Sequence, residues 1–489
     1  MHAIPEERLA AVNDRPRQDR GRFVVYWMRA ARRPVWNFSL QHAVQRAVEW
    51  QKPLLIVETL ACDEPYASLR HHHFALDGMA DNARMLAGKA VTYHPFVEQQ
   101  PGQINALLHH IARYSCLLVT DEHPLLEYRQ LLGRLATELP VRIEAVDGNG
   151  VLPLRAADRT FATAYALRRF LQRNLAGHLL SMPLNDPLAG VNLPRLTAPP
   201  PELNRNWPAA EPDLLEGKRQ SLQRLPIDQQ VRPVEQTGGH RQAQSLFERF
   251  LTEGLPHYVA QRNQPELEVT SGLSPYLRWG HIASQQLVHQ LLQRQNWTPG
   301  HLALECRGQR NGWWGLEANS EAFLDQLITW RELGYLMCSR QDDYQLFTSL
   351  PEWAQQTLRH HGDDPRPYRY TVEDLAAADT HDPLWNAAQR QLVREGRMHN
   401  YLRMLWGKKI LEWSAAPEEA LAVMIELNDR YALDGRDPNS YSGIGWCLGR
   451  FDRAWGPERP IFGKVRYMSS ANTARKVAVK DYLRRYQAG

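Results

Sequence analysis

The chain has 489 residues, of which 43% are hydrophobic and 23% are charged, and its formal net charge is +4. This composition excludes a disordered or fibrous chain, and the length predicts roughly two to four domains. The five cysteines lie far apart and form no CxxC pair, which argues against a disulfide scaffold and against a cysteine-ligated metal.

The sequence carries no signal for a membrane or for export. No apolar run approaches the roughly 20 residues that span a bilayer. The first 22 residues lack the apolar core of a signal peptide. We therefore expect a cytoplasmic protein with no membrane attachment.

Residues 23–148 alternate between strand-like and helical patterns. The strand-like runs are FVVYWM at 23–28, PLLIVETL at 53–60, AVTYHPF at 90–96, SCLLVTDE at 115–122 and VRIEAVD at 141–147. Segments with helical spacing lie between them, as at 40–50 and 103–114. The alternation predicts a parallel sheet with helices on both faces, which would bind ligands at the carboxyl ends of its strands. No GxGxxG follows the first strand and no GxxxxGK[ST] occurs, so the usual dinucleotide and P-loop sites are not predicted.

Proline dominates the next part of the chain. Ten of the 32 prolines lie between Pro183 and Pro233, with three in a row at 199–201. Proline lacks a backbone N–H and fixes φ, so this stretch is neither one continuous helix nor a central strand. We interpret it as a long surface connector.

From about residue 240 onward the pattern is helical. Six segments carry apolar residues three and four positions apart, and no strand-like run separates them. The region therefore predicts an all-helical domain. No internal repeat is evident, which argues against a solenoid.

Tryptophan is concentrated in this helical region. Nine of the 15 tryptophans lie between Trp313 and Trp455. Packing in a core explains any one of them. A group of such rings can also stack on nucleobases or on a flavin, or pass electrons by short steps.

One helix, expected over residues 398–413, has two distinct faces. Asn400, Arg403 and Met404 share one face, while Trp406 and Trp413 align along another. The polar face is either solvated or a surface that holds a redox-active ligand, because buried polar groups need partners. The sequence alone leaves both readings open.

The last part of the chain is basic. Ten Arg or Lys and three Asp or Glu lie between Arg450 and Gly489. Clustered positive charge on a near-neutral chain indicates a nucleic-acid contact, and a solvated tail is the alternative. Contiguous histidines at 71–73 and 360–361 have diverging side chains, so we predict no metal site.

Long strings in the helical region resemble one family. THDPLWNAAQRQLVREGRMHNYLRMLWGKKILEW at 380–413, LDGRDPNSYSGIGW at 433–446 and IFGKVRYM at 461–468 closely resemble the class II cyclobutane-pyrimidine-dimer photolyases, of the photolyase/cryptochrome family. The resemblance extends back through TSGLSPYL and FLDQLITWRE to YWM at 26–28. It is strong over 255–470 and weak over 1–235.

The resemblance implies the photolyase/cryptochrome fold, with an α/β Rossmann-like amino-terminal domain and an all-α FAD-binding carboxy-terminal domain. The expected boundaries are 20–160 for the α/β antenna-type domain, 161–238 for the proline-rich connector and 239–489 for the helical FAD- and DNA-binding domain. FAD is the implied cofactor, with an optional second antenna chromophore of the deazaflavin type. The implied partner of a monomeric enzyme is UV-damaged DNA, with the pyrimidine dimer flipped out of the duplex.

Matching the family residue by residue assigns roles in this chain. The residues expected to contact FAD are Tyr258, Thr270, Ser271, Leu273, Ser274, Arg331, Asn400, Arg403, Asp434 and Arg436. Of these, Arg403 and Asp434 are expected to form an ion pair beside the flavin ring, where a cation stabilises added negative charge. Asn428 matches the asparagine that faces flavin N5.

The resemblance also assigns the lesion site and an electron relay. Trp330 and Trp446 match two aromatic residues that flank the flipped dimer, and Met404 matches a methionine beneath it. The relay that photoreduces FAD would consist of Trp406, Trp385 and Trp413. Arg262, Asp452 and Trp455 are expected on the side of the lesion and the DNA.

One departure from the family lies in the expected pocket. Gln326 stands where the family has a glutamate that bonds the dimer carbonyls. Glutamine can bond a thymine edge, but it carries no negative charge and donates no carboxylic proton. The alternative hypothesis is therefore a flavin photoreceptor or an altered-specificity homologue with little dimer repair.

Overall fold

A computed structural model of the protein describes residues 4–488. The strands are Leu9–Ala11 (β1), Phe23–Met28 (β2), Leu54–Leu60 (β3), Thr92–Val97 (β4), Ser115–Asp121 (β5) and Ile143–Val146 (β6). The helices up to residue 222 are Phe38–Glu49 (α1), Leu69–Leu86 (α2), Gln103–Ala112 (α3), Leu126–Glu138 (α4), Ala164–Leu179 (α5), Leu203–Asn206 (α6), Pro212–Leu215 (α7) and Arg219–Leu222 (α8).

The rest of the described chain is helical. Its helices are His240–Arg249 (α9), Tyr258–Gln261 (α10), Ser274–Arg278 (α11), Ser284–Arg294 (α12), Ala318–Leu324 (α13), Arg331–Arg340 (α14), Glu352–His360 (α15), Val372–Ala377 (α16), Pro383–Glu395 (α17), Asn400–Trp413 (α18), Pro417–Tyr431 (α19), Pro438–Cys447 (α20), Ser470–Lys476 (α21) and Lys480–Arg485 (α22). Between Pro183 and Pro233 the described chain has only the one-turn helices α6 to α8 and no strand, as the prolines predict.

Within the described chain the six strands form one sheet, in the order β1-β6-β5-β2-β3-β4. Strands β2 to β6 are parallel, and β1 is antiparallel to β6 at the edge. The predicted α/β architecture is therefore confirmed. The edge strand β1 was not predicted, because three residues are too few to show a period-two pattern.

Alternate residues of β2 enter two separate apolar clusters. Val24 and Tyr26 pack with α1 on one face of the sheet, while Val25 and Trp27 pack with α3 and α4 on the other. The polar tips of the two aromatic residues have partners, since the Tyr26 hydroxyl donates to Asp121 Oδ1 and the Trp27 indole N–H donates to Thr59 Oγ1, both at 2.9 Å. Burial on both faces explains why this strand is continuously apolar in the sequence.

The described chain divides into two compact units. The first contains residues 4–158, 174–247 and 273–298, and the second contains residues 159–173, 248–272 and 299–488. The sheet belongs to the first unit, and helices α13 to α22 belong to the second. The domain boundaries expected from the sequence stay a prediction.

Two wide helical turns interrupt the second unit. Residues 250–254 and 325–330 form π-helical turns. Such turns are rare in proteins, and those that occur are often found at functional sites. The apolar core of this unit is formed mainly by α17 to α20. At its centre Gly407 of α18 lies so close to α20 that an added Cβ would stand 2.5 Å from the Cys447 Sγ atom.

Two kinds of feature are absent from residues 4–488. No helix there is both long and apolar enough to cross a bilayer. No group of three or more His, Cys, Asp or Glu side chains in the same residues is placed to hold a metal ion.

A tight contact in the first unit depends on Gly280. Its φ is +72°, and an added Cβ would lie 1.7 Å from the Ala30 carbonyl oxygen. The Ala30 loop is itself fixed, because Asp121 Oδ2 accepts hydrogen bonds from the N–H groups of residues 29–31 at 2.8 to 2.9 Å. Backbone that is bonded in this way cannot move aside.

We expect Gly280→Ala to destabilise the protein by about 3 kcal/mol or more, because it adds both a backbone strain and an overlap. Gly133→Ala is the matched control, since Gly133 lies inside α4 with open space around it, and alanine should stabilise it by about 0.5–1 kcal/mol. Thermal melting followed by circular dichroism measures both. If the melting temperature of Gly280→Ala lies within about 2 °C of that of wild type, Gly280 does not approach the Ala30 carbonyl oxygen as closely as described.

Candidate functional site

Helix α18 presents two different faces. Asn400 is exposed, and Arg403 and Met404 are half-buried. On the other side of the helix Trp406 and Trp413 are buried. The polar face expected from the sequence is therefore accessible, and the tryptophan face belongs to the core.

Arg403 and Asp434 form an ion pair. The Arg403 Nη2 atom donates to the two carboxylate oxygens of Asp434 at 3.1 and 3.3 Å. The side chains are 25% and 12% exposed. Asp434 lies in the turn after α19, where the Ser440 hydroxyl donates to its backbone carbonyl at 2.9 Å. A partly exposed pair of this kind provides charge at a surface without burying a lone ion.

Asn428 is oriented by a buried carboxylate that the sequence did not indicate. Its Nδ2 atom donates to Asp429 Oδ1 at 3.0 Å, and Asp429 also accepts from the Arg436 N–H at 2.8 Å and from the Tyr441 hydroxyl at 3.0 Å. Burial raises the pKa of Asp429, and these hydrogen bonds oppose the rise. The side-chain Oδ1 atom of Asn428 has no hydrogen-bond partner among residues 4–488, whereas its backbone carbonyl accepts from the Ala432 N–H at 2.8 Å. The Oδ1 acceptor is therefore available to a ligand.

Other residues assigned to the cofactor also lie in the second unit. Tyr258 is buried, and the Arg262 guanidinium lies 5.5 Å from the centre of its ring. Arg331 begins α14 and is buried, with its guanidinium 3.9 Å from the Tyr335 ring.

The hydroxyl-rich segment TSGLS crosses between the two units. Thr270 is exposed and Ser271 is half-buried in the second unit. Leu273 and Ser274 belong to the first unit, where Leu273 is buried and Ser274 begins the short helix α11. The role of these four residues stays a prediction.

Gln326 and Trp330 lie on the same π-helical turn. Both are half-buried, and the Gln326 amide has no hydrogen-bond partner among residues 4–488. The ring of Trp330 lies 5.2 Å from that of Trp446 on α20, at an interplanar angle of 36°. This distance leaves no room for a base between the rings. The two tryptophans therefore form one continuous aromatic surface beside an unpartnered amide.

A charged cluster adjoins this surface. Arg466 donates to the two oxygens of Asp452 at 2.9 and 3.1 Å, and the Trp455 indole N–H donates to Asp452 at 3.2 Å. The Arg466 guanidinium lies 4.3 Å from the Trp455 ring centre and 6.0 Å from that of Trp446. Asp452 and Trp455 thus lie together with Arg466, which the sequence did not single out, and their assignment to the side of the lesion stays a prediction.

The three tryptophans of the expected relay are buried and connected. The Trp385 indole N–H donates to the Trp406 carbonyl at 3.1 Å, and the rings of Trp385 and Trp413 lie 5.3 Å apart. The Trp406 indole N–H donates to Gln389 at 2.8 Å. Trp385 and Trp413 are thus in ring contact, while Trp406 is joined to Trp385 through its backbone carbonyl, and the three form a buried path through α17 and α18.

The path continues to the surface through residues that the sequence did not indicate. Trp413 is only 3% exposed, and it contacts the rings of Tyr370 at 5.1 Å and His381 at 5.5 Å. Tyr368, which is 50% exposed, stacks on His381 at 3.7 Å. Tyr368, Tyr370 and His381 lie more than 30 residues before Trp413, so no local sequence pattern indicated this contact.

A buried amine lies behind the aromatic surface. Lys408 is 1% exposed, and its Nζ atom donates to the Cys447 carbonyl at 2.5 Å. No carboxylate of the described chain forms an ion pair with it. Burial is the main cause that lowers the pKa of Lys408 from about 10.5 to about 8. The neighbouring Lys409, in contrast, is paired with Glu412 at 2.8 Å.

Three proteins named deoxyribodipyrimidine photo-lyase are similar to this chain over most of its length. The chain is 35% identical over 483 residues to the deoxyribodipyrimidine photo-lyase of Methanothermobacter thermautotrophicus, and the match covers 99% of this chain and 98% of that protein. It is 32% identical over 475 residues to the protein of the same name from Potorous tridactylus, with 96% and 82% covered. The rice (Oryza sativa subsp. japonica) protein of this name is 34% identical over 478 residues, with 94% and 86% covered.

The fold also has a relative among solved structures. The crystal structure of a bacterial class III photolyase from Agrobacterium tumefaciens superposes with a TM-score of 0.67 and 18% identity, over 95% of this chain and 86% of that one. No family model matches the chain.

The buried amine yields a test of the helical core. Between pH 8 and 10.5 the unfolded chain holds a proton that Lys408 has lost in the folded state, so stability rises with pH there. Below pH 8 the penalty of the buried charge is complete. We expect Lys408→Met to stabilise the protein at pH 7 by on the order of 2 kcal/mol, and this gain should shrink toward pH 10.

Melting temperatures of both proteins from pH 7 to pH 10 measure the difference. Lys409→Met is the control and should destabilise the protein at pH 7, because it leaves Glu412 without its partner. Equal stability of Lys408→Met and wild type at every pH would mean that burial does not lower the pKa of Lys408.

Proposed function

Because this chain belongs to the photolyase/cryptochrome family and is a deoxyribodipyrimidine photo-lyase, we propose that it is of class II and repairs cyclobutane pyrimidine dimers in DNA under blue light. The observation that carries the proposal is the pairing of two tryptophan sites in one helical unit. A half-buried aromatic surface, Trp330 and Trp446, suits a flipped base, and the buried path from Trp406 to Trp413 suits electron transfer.

Photolyases of this family use FAD, and the residues of the second unit fit that group. The accessible ion pair of Arg403 and Asp434 and the free acceptor of Asn428 would hold the flavin ring, and Thr270 and Ser271 would bond its phosphates. When bound, reduced FAD supplies the electron that splits the dimer. The Arg403 cation would favour negative charge on a flavin ring held beside it.

The Asn428 amide has a defined orientation in this proposal. Asp429 takes one of the amide hydrogens, so the carbonyl oxygen is the group presented to a ligand. That oxygen accepts a hydrogen bond from a protonated ring nitrogen and supplies no proton itself. Asp429 and Tyr441 are positioning residues, because they act on the ligand only through Asn428.

Binding of DNA would rest on basic residues whose charge is not neutralised by a carboxylate of the described chain. Arg453, Arg459, Arg475, Lys476 and Lys480 form no ion pair with any described residue. Contacts of such side chains with phosphates give affinity that is independent of sequence and falls as salt rises. Arg262, Asp452 and Trp455 would then lie on the side of the lesion, with Met404 beneath the dimer.

The proposal includes two further parts. The protein acts as a monomer, and its first unit holds a second, deazaflavin-type antenna chromophore. Absorption spectra of the purified protein test the chromophore, and light scattering tests the oligomeric state.

The central experiment is photorepair. The photoreduced protein is incubated with an oligonucleotide that contains a thymine dimer, under blue light and in the dark. We expect recovery of thymines only in the light. Normal photoreduction of FAD without recovery of thymines would favour the second candidate, a flavin photoreceptor or an altered-specificity homologue. Gln326 is the residue that suggests this candidate.

The variant Gln326→Glu separates these candidates. If a pyrimidine dimer is the substrate, the protonated carboxyl donates a stronger hydrogen bond than an amide, with a gain of about 1 kcal/mol, and the repair quantum yield should rise. The yield is measured on the same oligonucleotide at several light doses. A lower yield would mean that the pocket reads a different ligand.

The variant Trp406→Phe tests the relay. Phenylalanine is much harder to oxidise than tryptophan, so photoreduction of FAD should be abolished, while chemically reduced enzyme should repair at nearly the wild-type rate. Trp313→Phe is the matched control, because Trp313 is buried and its indole N–H has no partner among the described residues. Photoreduction of Trp406→Phe at the wild-type rate would remove Trp406 from the relay.

A further inference from the structure

The loop that leads to Thr270 is held by the carboxy-terminal end of the chain. Residues 263–270 contain no helix or strand, so the order of this loop depends on its side chains. The Gln264 Oε1 atom accepts a hydrogen bond from the Ala478 N–H at 3.1 Å. The Glu266 Oε1 atom accepts from the N–H groups of Asp481 and Tyr482 at 2.6 and 3.2 Å.

Glu266 therefore caps the first turn of α22. A helix leaves its first N–H groups without internal partners, and an acceptor at this end also complements the helix dipole. The cap belongs to a distant part of the sequence. The helix and the loop consequently fix each other.

Glu268 adds a charged contact two residues further along the loop. The Arg397 guanidinium donates to both of its carboxylate oxygens at 3.0 Å, and Arg485 of α22 lies at 3.7 Å. Partial burial raises the pKa of Glu268, but the hydrogen bonds and charge of Arg397 outweigh this effect, so the pKa lies below its ordinary value. A bidentate arginine contact fixes direction as well as distance.

Helix α22 is in turn attached to the core. The Tyr482 hydroxyl donates to Gln391 at 2.8 Å and the Tyr486 hydroxyl donates to Glu395 at 2.6 Å. Both tyrosines are buried, and both acceptors belong to α17. The loop is thus connected through α22 to the helix that carries Trp385.

We propose that α22 and Arg397 form a carboxy-terminal clamp, whose purpose is to fix the loop 263–270 and so to retain the flavin cofactor. The inference rests on the proposed function, in which Thr270 and Ser271 bond the phosphates of FAD. A loop that is ordered before binding loses less conformational freedom when the ligand arrives, so affinity is higher and release is slower. Gln264, Glu266, Glu268 and Arg397 are positioning residues in this account.

The experiment compares FAD release from purified holoprotein variants. Glu266→Ala removes the cap, Arg397→Gln removes the bidentate contact, and release is followed by the fluorescence of free FAD after dilution. We expect both variants to release FAD about ten times faster than wild type. Arg484→Gln is the matched control on the same helix, because Arg484 pairs only with the exposed Asp481 side chain, and its release rate should not change.

Two further measurements separate positioning from general instability. Glu266→Gln keeps an acceptor oxygen at the capping position and should retain FAD almost as well as wild type. Hydrogen exchange of the apoprotein should rise in residues 263–271 of Glu266→Ala, while α18 stays protected. The proposal is contradicted if Glu266→Ala and Arg397→Gln release FAD at the wild-type rate. That outcome contradicts the clamp alone, whereas a wild-type protein that takes up no FAD contradicts the proposed function as well, so the two failures are distinguishable.

Discussion

The helical unit depends on one close approach, at Gly407. An added Cβ at this position would stand 2.5 Å from the Cys447 Sγ atom and 3.0 Å from the Met424 Sδ atom, so a glycine lets α18 meet α20 and α19 at the same level. Residues on one face of a helix recur about every four positions. Arg403 lies one turn before Gly407, and Asn428 lies one turn after Met424. The spacing between the residues proposed to hold the cofactor is therefore set by a contact that has no chemical role of its own, and any larger side chain at Gly407 would separate them.

Two roles are proposed for tryptophan in this unit, and the two groups of residues differ in burial. Trp385 and Trp406 are enclosed, and their indole N–H groups donate to protein acceptors, so they are rigid and shielded from water. Trp330 and Trp446 are half-buried and lie against each other, which leaves aromatic surface for a base. A buried path and an open surface need different surroundings, since rigid, dry rings suit electron transfer while an accessible π-face suits stacking.

The sequence predicted the elements better than their contacts. Apolar runs located strands β2 to β6, and helical spacing located α17 to α19, because these patterns follow from local burial. The strings at 380–413 and 433–446 indicated the family and brought Arg403 and Asp434 to attention together. The two π-helical turns were not predicted, since they differ from an α-helix only in hydrogen bonding. Nor was the pairing of Asp429 with Tyr441, because no local pattern reveals which distant side chains meet.

The basic carboxy-terminal segment illustrates this limit of composition. A count of charges between Arg450 and Gly489 treats every arginine as available to DNA. In the structure Arg450 is 4% exposed and bonds the Gln341 side chain, while Arg485 lies beside Glu268 at the loop 263–270. A guanidinium that already has a partner contributes little to phosphate binding, because that partner must be replaced. Part of the charge in this segment thus maintains the fold, and the proposed contact with DNA is left to the basic residues that form no ion pair.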